Sequence, residues 1–324
     1  MSDPNGLRAW SCVQPTYVAG IVNFRSYSEV DSCLQSLERQ TELPIATIVV
    51  DHDANLEERR RCIRNSERVT WVSRPNAGYA AGANAILDWT TVKAPTASFV
   101  LLLNPDVVLD AGYAESLIRE MTVRPVAALA SGKLLRSDGC TLDSAGIRMA
   151  RHRHPVDRGS DEIDRRQYEA CEFVFAASGA ALMIRCQALP DLSVDGEVFD
   201  EDFFAYHEET DLAWRAQLLG WKSLYVPRAR ALHRRGWRRG RRFDIDPQIR
   251  RHAFKNRYLE MVKNERPMGF LRDLPAIAGW ELLRLGYSVT RDRTLLRAYR
   301  EALRLLPRAW AKRRIIQQRA ASLR

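Results

Sequence analysis

The densest set of residues able to carry out acid–base chemistry lies in segment 199–215, FDEDFFAYHEETDLAWR. Six carboxylic acids stand there among five aromatic residues, and the acids are Asp200, Glu201, Asp202, Glu208, Glu209 and Asp211. Carboxylates beside aromatic rings lose part of their hydration, which raises their pKa and improves them as general bases. On a helix, Glu208 and Asp211 would share one face, as would Asp211 and Arg215, and one of these pairs is expected to be structural.

Two further carboxylates follow apolar runs that are typical of buried strands. Asp51 follows ATIVV, and Asp106 follows FVLLL after Asn104 and Pro105. The carboxylate of Asp106 in such a position suits Mg²⁺ or Mn²⁺, which take one or two protein carboxylates and leave other positions to water and phosphate. The carboxylate of Asp51 could accept the imide N–H of a pyrimidine base. For both residues, a turn or a helix cap is the alternative interpretation.

Residues 76–84, NAGYAAGAN, place two glycines around the start of a helix made of small residues. Gly78 and Gly82 would permit close approach of the backbone, and the free N–H groups of a helix start can bind a diphosphate. Close packing of a small helix on a sheet explains the same pattern equally well.

His233 follows the strand-like run SLYV and is itself followed by two arginines. Arg234 and Arg235 could bind a phosphate, and their charges would lower the pKa of His233 and keep it neutral. A neutral imidazole can ligate a metal. A packed or surface histidine is the alternative.

The elements that must position these residues alternate between strand and helix. Apolar runs predict strands at 17–24, 46–50, 69–72 and 99–103, with helices at 28–40, 56–65 and 80–89 between them. This alternation predicts βαβ units and a mostly parallel sheet, in which ligands bind at the carboxyl ends of the strands. Further strands are predicted at 127–135, 173–184 and 223–226, and a helix at 208–219. Segment 136–172 is polar and is predicted to leave the sheet, and the tail is predicted to form helices at 248–262, 271–289, 293–306 and 310–319.

The charge of the chain is unevenly distributed along its 324 residues. The net charge of +10 combines −7 over residues 1–233 with +17 over residues 234–324. Such a basic tail indicates an acidic partner, which could be a membrane surface, a nucleic acid or phosphate groups. The polar start and the short apolar runs predict a cytoplasmic protein, and six scattered cysteines predict reduced thiols.

The order of the motifs resembles glycosyltransferase family 2, and in particular its bacterial rhamnosyltransferase-like branch. VVD, NAGYAAGAN, LLLNPDV, SGAALMI, FDEDFFAYHEETDLAWR and GWKSLYVPRARALH follow one another over residues 16–233. The resemblance implies an α/β GT-A fold, with a mixed, mostly parallel Rossmann-like sheet in a catalytic domain of residues 1–242. Residues 16–125 would bind the nucleotide and residues 126–242 the acceptor, with a basic amphipathic helical tail at 243–324.

The resemblance also implies roles for individual residues. Donor-binding residues would be Asp51 at the base, Asn76, Gly82 and Asn84 at the ribose and diphosphate, and Asn104 with Asp106. Asp106 and His233 would hold Mg²⁺ or Mn²⁺, and Glu209 would be the catalytic base. Asn104 stands where many relatives have an aspartate, and Glu209 replaces an aspartate, so Asp211 or Glu208 could share the role of base. Asp200, Glu201, Asp202 and Trp214 are expected to contact the acceptor.

The implied activity is metal-dependent, inverting transfer of a sugar from a dTDP- or UDP-sugar, with dTDP-L-rhamnose as the first candidate. The tail contributes an apolar stripe flanked by arginines, which predicts contact with an anionic membrane and a lipid-linked glycan acceptor at its inner face. That stripe consists of Leu295, Leu296, Tyr299, Leu303 and Leu306. A helix packed on the catalytic domain, or an interface in a homo-oligomer, is the alternative.

Two other classes of function fit parts of the sequence. Asn104 and Glu209 would also fit a sugar-nucleotide-binding scaffold that turns over poorly. The arginines of segment 234–242 would fit a nucleic-acid-binding protein, but this leaves the six ordered motifs unexplained, so no nucleic-acid partner is expected.

Overall fold

The computed structural model of the protein describes residues 14–63, 68–235 and 245–323. Within these ranges the strands are β1 Tyr17–Asn23, β2 Ala46–Asp51, β3 Val69–Ser73, β4 Phe99–Leu103, β5 Val107–Leu109, β6 Ala127–Leu135, β7 Leu142–Ser144, β8 Ile147–Met149, β9 Pro155–Asp157, β10 Glu172–Val174, β11 Ala181–Arg185 and β12 Lys222–His233. The helices are α1 Tyr27–Glu38, α2 Leu56–Cys62, α3 Tyr79–Lys93, α4 Tyr113–Thr122, α5 Leu189–Leu192, α6 Glu208–Leu218, α7 Pro247–Asn264, α8 Pro267–Thr290 and α9 Leu295–Ser322.

The centre of the molecule is a mixed sheet, which in the described ranges has ten strands. Its main path runs β10-β12-β6-β11-β4-β1-β2-β3, with β5 on β12 and β7 on β6. Strands β4, β1, β2 and β3 are mutually parallel, and β11 lies antiparallel between β4 and β6. Buried apolar residues cover both faces of the sheet, as expected for parallel strands that are sandwiched between helices. The predicted α/β class with a mixed, mostly parallel sheet is therefore confirmed.

Several predicted elements differ from those observed. The predicted strand at 173–184 is two strands, β10 and β11, which are separated by Ser178 and Gly179. The strand predicted at 223–226 continues to His233, and an irregularity in its register between Val226 and Arg230 accommodates Pro227. Segment 136–172 does not leave the sheet entirely, because it contains β7, which pairs with β6, and the β8–β9 hairpin.

The tail forms three helices, and two of them, α7 and α9, pack against α6. The structure has one helix, α9, where the sequence predicted two, since α9 continues through Pro307. Ala302 and Ala309 are buried on either side of the proline, so packing holds both parts of the helix in place. Helix α7 packs on both α9 and α6. The boundary at residue 242 stays a prediction. No helix in the described part of the chain is long and apolar enough to cross a membrane.

Candidate active site

The first half of the site lies where β4 ends. Asp106 stands between β4 and β5, and β5 pairs antiparallel with the end of β12, so that Val107 faces His233. This pairing brings together two residues that are 127 positions apart in sequence: His233 Nε2 lies 3.4 Å from Asp106 Oδ1. Asn104 lies two residues before Asp106, and its backbone N–H donates to Ala180 O over 2.8 Å. The predicted pairing of Asp106 with His233 is present in the structure.

A third residue orients the imidazole of His233. Its Nδ1 lies 2.7 Å from Asp143 Oδ2, on β7, and both side chains are buried. Burial alone lowers the pKa of His233, but the hydrogen bonds to Asp106 and Asp143 outweigh it and raise that pKa to about 9. The expectation that neighbouring arginines keep His233 neutral is wrong, because the carboxylates of Asp106 and Asp143 dominate its pKa, and Arg235 is itself paired with Asp143 and Asp157.

Asp106 and His233 fit a divalent cation of the Mg²⁺ or Mn²⁺ type, provided that the cation displaces the proton that the two carboxylates otherwise hold on the imidazole, because a metal-ligating histidine is neutral. A carboxylate oxygen and an imidazole nitrogen converge, and the other ring nitrogen is held by a carboxylate, as is usual for metal-ligating histidines. Within residues 14–63, 68–235 and 245–323, no group of three or more His, Cys, Asp or Glu side chains is placed to hold a metal ion. A cation at this position would therefore take its remaining ligands from water and phosphate oxygens, which Mg²⁺ sites commonly use.

The second half of the site is the start of helix α6, where two glutamates stand side by side. Glu208 is buried, and its Oε1 has no hydrogen-bond partner. Burial, followed by the adjacent charge of Glu209, raises the pKa of Glu208 to about 8. Glu209 is half-buried, and burial raises its pKa as well. A half-buried glutamate with a raised pKa is suited to remove a proton from a hydroxyl.

Glu209 packs against the start of β11. A Cβ atom added to Gly179 would lie 3.3–3.4 Å from Cβ, Cγ and Cδ of Glu209, so the absence of a side chain at residue 179 gives the carboxylate its room. Asp157 of the β8–β9 hairpin is among the charged groups near Glu209, and it pairs with Arg235 beside His233. The pair of Asp106 and His233 and the carboxylate of Glu209 are therefore linked through Arg235 and Asp157.

The loop before α6 has a strained backbone. Phe204, Tyr206 and His207 all have positive φ angles, of 68°, 73° and 73°. Such angles cost energy for residues with side chains and persist where surrounding contacts fix them. The Asn256 side-chain amide on α7 supplies those contacts, since it donates to the backbone carbonyls of Phe203, Ala205 and Tyr206 over 2.7–3.0 Å.

Three of the acids in segment 199–215 are neutralised by the tail. Lys263 of α7 bonds both Asp200 and Asp211, and Lys312 of α9 bonds Asp200 and Asp202. Asp211 also pairs with Arg215 at 3.1 Å, which is the structural pair that the sequence led us to expect. With these partners the carboxylates of Asp200 and Asp211 are buried and satisfied, so the structure offers neither of them to an acceptor or to a proton transfer.

The other predicted acceptor contacts also have partners within the protein. Glu201 is exposed and accepts from the side-chain amide of Asn84, and Asp202 also pairs with Arg308. Trp214 packs edge-on against Phe175 and belongs to the apolar cluster between α6 and α9. Five residues after Glu209, it lies about 140° around the helix from that residue, and the structure does not bring the two together.

Two of the predicted donor-binding residues, Asn76 and Asp51, differ in whether a ligand could reach their side chains. Asn76 is exposed, and its side chain accepts from Gly78 N. Asp51, by contrast, is 0% exposed, and its carboxylate accepts from Asn23 and Tyr27, so contact with a base would require these partners to move.

Asn84 and Gly82 are occupied with packing inside the protein. Asn84 exchanges hydrogen bonds with the backbone of Phe199 and thereby ties α3 to the loop of the second half-site. A Cβ at Gly82 would lie 2.6 Å from Val22 Cγ1, so this glycine serves the close packing of α3 on β1.

Sequence reasoning missed the residues that orient the site. Asp143 lies in the segment that was read as a polar excursion, and its mixed polar and apolar neighbours, TLDSAG, gave no signal. A signal was available in the tail, where only three of the 25 basic residues are lysines. These are Lys255, Lys263 and Lys312, and all three are buried against the acidic loop.

The fold and the site together define a glycosyltransferase of the GT-A class. Residues 99–304 match the model of the family described as Glycosyl transferase family group 2. The chain therefore belongs to this family, and the resemblance found in the sequence is confirmed.

The relatives and solved structures agree with this assignment. The chain is 27% identical over 241 residues to N-acetylglucosaminyl-diphospho-decaprenol L-rhamnosyltransferase of two Mycobacterium tuberculosis strains, covering 68% of this chain and 76% of the relative. It resembles S. aureus TarS 1-349 in complex with UDP, with a TM-score of 0.54 at 13% identity over 94% of this chain and 87% of that chain. It also resembles GalNAc-T7 with UDP, GalNAc and Mn²⁺, with a TM-score of 0.57 at 13% identity over 77% of this chain and 48% of that chain. The chain thus spans about half the length of GalNAc-T7, and these structural likenesses concern the fold.

Proposed function

We propose that the protein transfers a sugar, with inversion, from a nucleotide-diphosphate donor to a hydroxyl of a lipid-linked glycan in cell-surface polysaccharide assembly. The first candidate donor is dTDP-L-rhamnose, and a UDP-sugar is the alternative. The observation that carries the proposal is the arrangement of Glu209, half-buried beside Gly179 and linked to the pair of Asp106 and His233. The mycobacterial relative supports the sugar and the lipid-linked acceptor, since its name states both.

Glu209 is the proposed general base. It would accept the proton of the acceptor hydroxyl while the hydroxyl oxygen bonds to the anomeric carbon and the nucleoside diphosphate leaves from the opposite face. Asp211 is excluded from this role by its bonds to Lys263 and Arg215. Glu208 is the weaker alternative, because with a pKa of about 8 it is mostly protonated at neutral pH.

Asp106 and His233 would hold the divalent cation, and Asp143 would keep the imidazole turned toward it. When bound, Mg²⁺ or Mn²⁺ would neutralise charge on the departing diphosphate. The likeness to GalNAc-T7, which was crystallised with Mn²⁺, supports this part of the proposal. A lipid-linked acceptor would require the enzyme to work peripherally at the inner face of the cytoplasmic membrane.

The test is calorimetric binding of dTDP and of UDP, with and without Mn²⁺, to the wild type and to Asp106→Ala. Binding that depends on Mn²⁺ and disappears in the variant supports the donor site and identifies the base. Tight binding that needs no metal and survives the substitution removes Asp106 from its role. If the wild type binds neither dTDP nor UDP, with or without Mn²⁺, the proposed function is overturned. Binding without turnover, even with the correct acceptor, would favour a sugar-nucleotide-binding scaffold.

The proposed nucleic-acid interface at residues 234–242 lies largely outside the described residues. Of its arginines, Arg234 and Arg235 are described: Arg234 is exposed, and Arg235 is held by Asp143 and Asp157.

A further inference from the structure

Helix α8 has its polar side turned inward and its apolar side turned outward. The inward side carries Asp273, which pairs with Arg153, and Glu281, which pairs with Arg257. It also carries Arg284, whose guanidinium lies 3.9 Å from the centroid of the Phe254 ring. A helix on the surface of a water-soluble domain ordinarily has the opposite arrangement.

The outward side of α8 is a long apolar strip. Its large apolar residues are at least one third exposed, and they are Met268, Phe270, Leu271, Leu274, Leu282, Leu283, Leu285 and Val289. Singly exposed leucines are common, but a strip that extends along a 24-residue helix is not, and such contiguous surface marks an interaction site.

This strip continues onto α9 through a groove. Phe270 of α8 and Leu303, Leu306 and Trp310 of α9 line a cavity of about 420 Å³ between α7, α8 and α9. Leu303 and Trp310 are exposed and stand seven residues apart, so they lie on one side of α9. We call the α8 strip together with this groove the apolar face.

Positive charge flanks the apolar face. Residues 267–323 contain twelve Lys and Arg but four Asp and Glu. On α9 the exposed arginines recur at helical spacing and form one row beside Leu303, and they are Arg297, Arg300, Arg304 and Arg308. An apolar surface bordered by arginines and carrying an exposed tryptophan matches the boundary between headgroups and acyl chains in an anionic bilayer.

We propose that the apolar face of α8 and its groove dock the protein on an anionic lipid bilayer. The stripe that the sequence indicated does not serve as a whole, because Leu295 is fully buried and Tyr299 packs against Phe254 and Tyr258. The membrane-binding element is therefore mainly α8, and α9 contributes its arginine row. This inference rests on the proposed function only in that a lipid-linked acceptor gives the docking its purpose.

The test uses the full chain and vesicles of phosphatidylglycerol mixed with phosphatidylcholine. The variant is Leu282→Glu/Leu283→Glu, since both side chains are about 70% exposed (72% and 68%) and their replacement leaves the core intact. Val92→Glu on α3 is the control, because Val92 is 71% exposed and lies outside the apolar face. We expect the wild type and the control to co-sediment with these vesicles, and the double variant to bind at least about tenfold more weakly.

Three results would overturn the docking surface. They are equal binding by the double variant, absence of wild-type binding to these vesicles, and a wild-type dimer in light scattering that the double variant dissociates. The last result would make the apolar face an interface between two copies. Calorimetric dTDP and UDP binding by the double variant separates the two proposals, because nucleotide binding is expected to be unchanged whatever the vesicles show.

Discussion

His233 and Asp143 are joined by a hydrogen bond of 2.7 Å between Nδ1 and Oδ2, which leaves Nε2 of the imidazole facing Asp106. The two residues come from β12 and from the start of the segment that follows β6, and they meet inside the protein. Burial alone would raise the pKa of Asp143, but the bond from His233 and the charge of Arg235 lower it, so that its carboxylate stays ionised. Asp143 thereby fixes the orientation of a proposed metal ligand.

Asp143→Asn is expected to weaken Mn²⁺-dependent binding of the nucleoside diphosphate by about 10–100-fold, the usual effect of losing such a partner. An asparagine has the same shape but cannot hold the imidazole with a full negative charge. Isothermal titration with and without Mn²⁺ measures the effect. If the metal-dependent part of the affinity is unaltered, Asp143 has no positioning role.

Glu209→Gln is expected to lower kcat by about 10²–10⁴-fold while nucleotide binding is retained, because the amide keeps the shape of the side chain but cannot accept the proton. Burial raises the pKa of Glu209, and the base must be ionised to act. The wild-type rate should therefore fall as pH decreases through that raised pKa, at a pH above the ordinary glutamate value. A pH–rate profile with a soluble acceptor analogue measures both effects.

Glu208→Gln is the matched comparison, since it makes the same chemical change one residue away. A carboxyl with a pKa of about 8 is mostly protonated at pH 7, and glutamine imitates that form. We expect a loss of activity of less than about tenfold, well below the contribution of a general base. A larger loss in Glu208→Gln than in Glu209→Gln would exchange their roles.

Glu208 should also make the stability of the protein depend on pH. Its pKa is raised from 4.5 to about 8 in the folded state, so the folded protein binds more protons than the unfolded chain between these values. Its stabilising contribution is complete below about pH 4.5 and is lost as pH rises through 8. The free energy of unfolding of Glu208→Gln, measured in urea, should decline less over this window than that of the wild type. Parallel declines would show that Glu208 does not titrate in this window.

The strands and helices of the first part of the chain could largely be predicted from local sequence. The sequence did not show which acids of the site are structural and which are available for chemistry. FVLLL predicts β4 with the bounds observed, since five consecutive buried apolar residues leave little alternative. Segment 199–215 was also predicted to be the centre of the chemistry. Its acids could not be sorted into structural and chemical ones, however, because their counterions, Lys263 and Lys312, follow 52 to 112 residues later along the chain.

The same limit applies to the tail. Periodicity found its helices, but a stripe of leucines does not say whether it faces a protein or a lipid. The positive charge of the tail was taken to indicate an external acidic partner. Part of that charge instead forms ion pairs with Asp200, Asp202 and Asp211 within the molecule. The polar side of α8 faces inward because it has charged partners such as Arg153, which pairs with Asp273. Arg153 lies more than a hundred residues earlier in the chain, so sequence spacing alone does not reveal that contact.

Lys263→Met is expected to destabilise the protein by about 3–5 kcal/mol, the usual effect of removing one partner from a buried ion pair. Lys263 is fully buried between Asp200 and Asp211, and these carboxylates cannot regain water when it is lost. Arg308→Met is the control, because the Arg308 side chain is 69% exposed beside Asp202 and should matter by at most about 1 kcal/mol. Urea unfolding measures both, and similar values for the two variants would contradict the structural role given to Lys263.

Gly179→Ala tests the placement of Glu209 without altering its chemistry. The added methyl would stand 3.3 Å from Glu209 Cβ and Cγ, which is tight but not prohibitive, so the glutamate must move by a few tenths of an ångström. Displacements of about 1 Å at a reacting group can cost about 10²-fold in rate, so a several-fold loss of kcat is expected. The melting temperature should change little, and nucleotide affinity should be retained because the three atoms nearest to the added methyl all belong to Glu209. An alanine variant with wild-type kcat would show that the catalytic carboxylate does not depend on the room beside Gly179, and would direct attention back to Glu208.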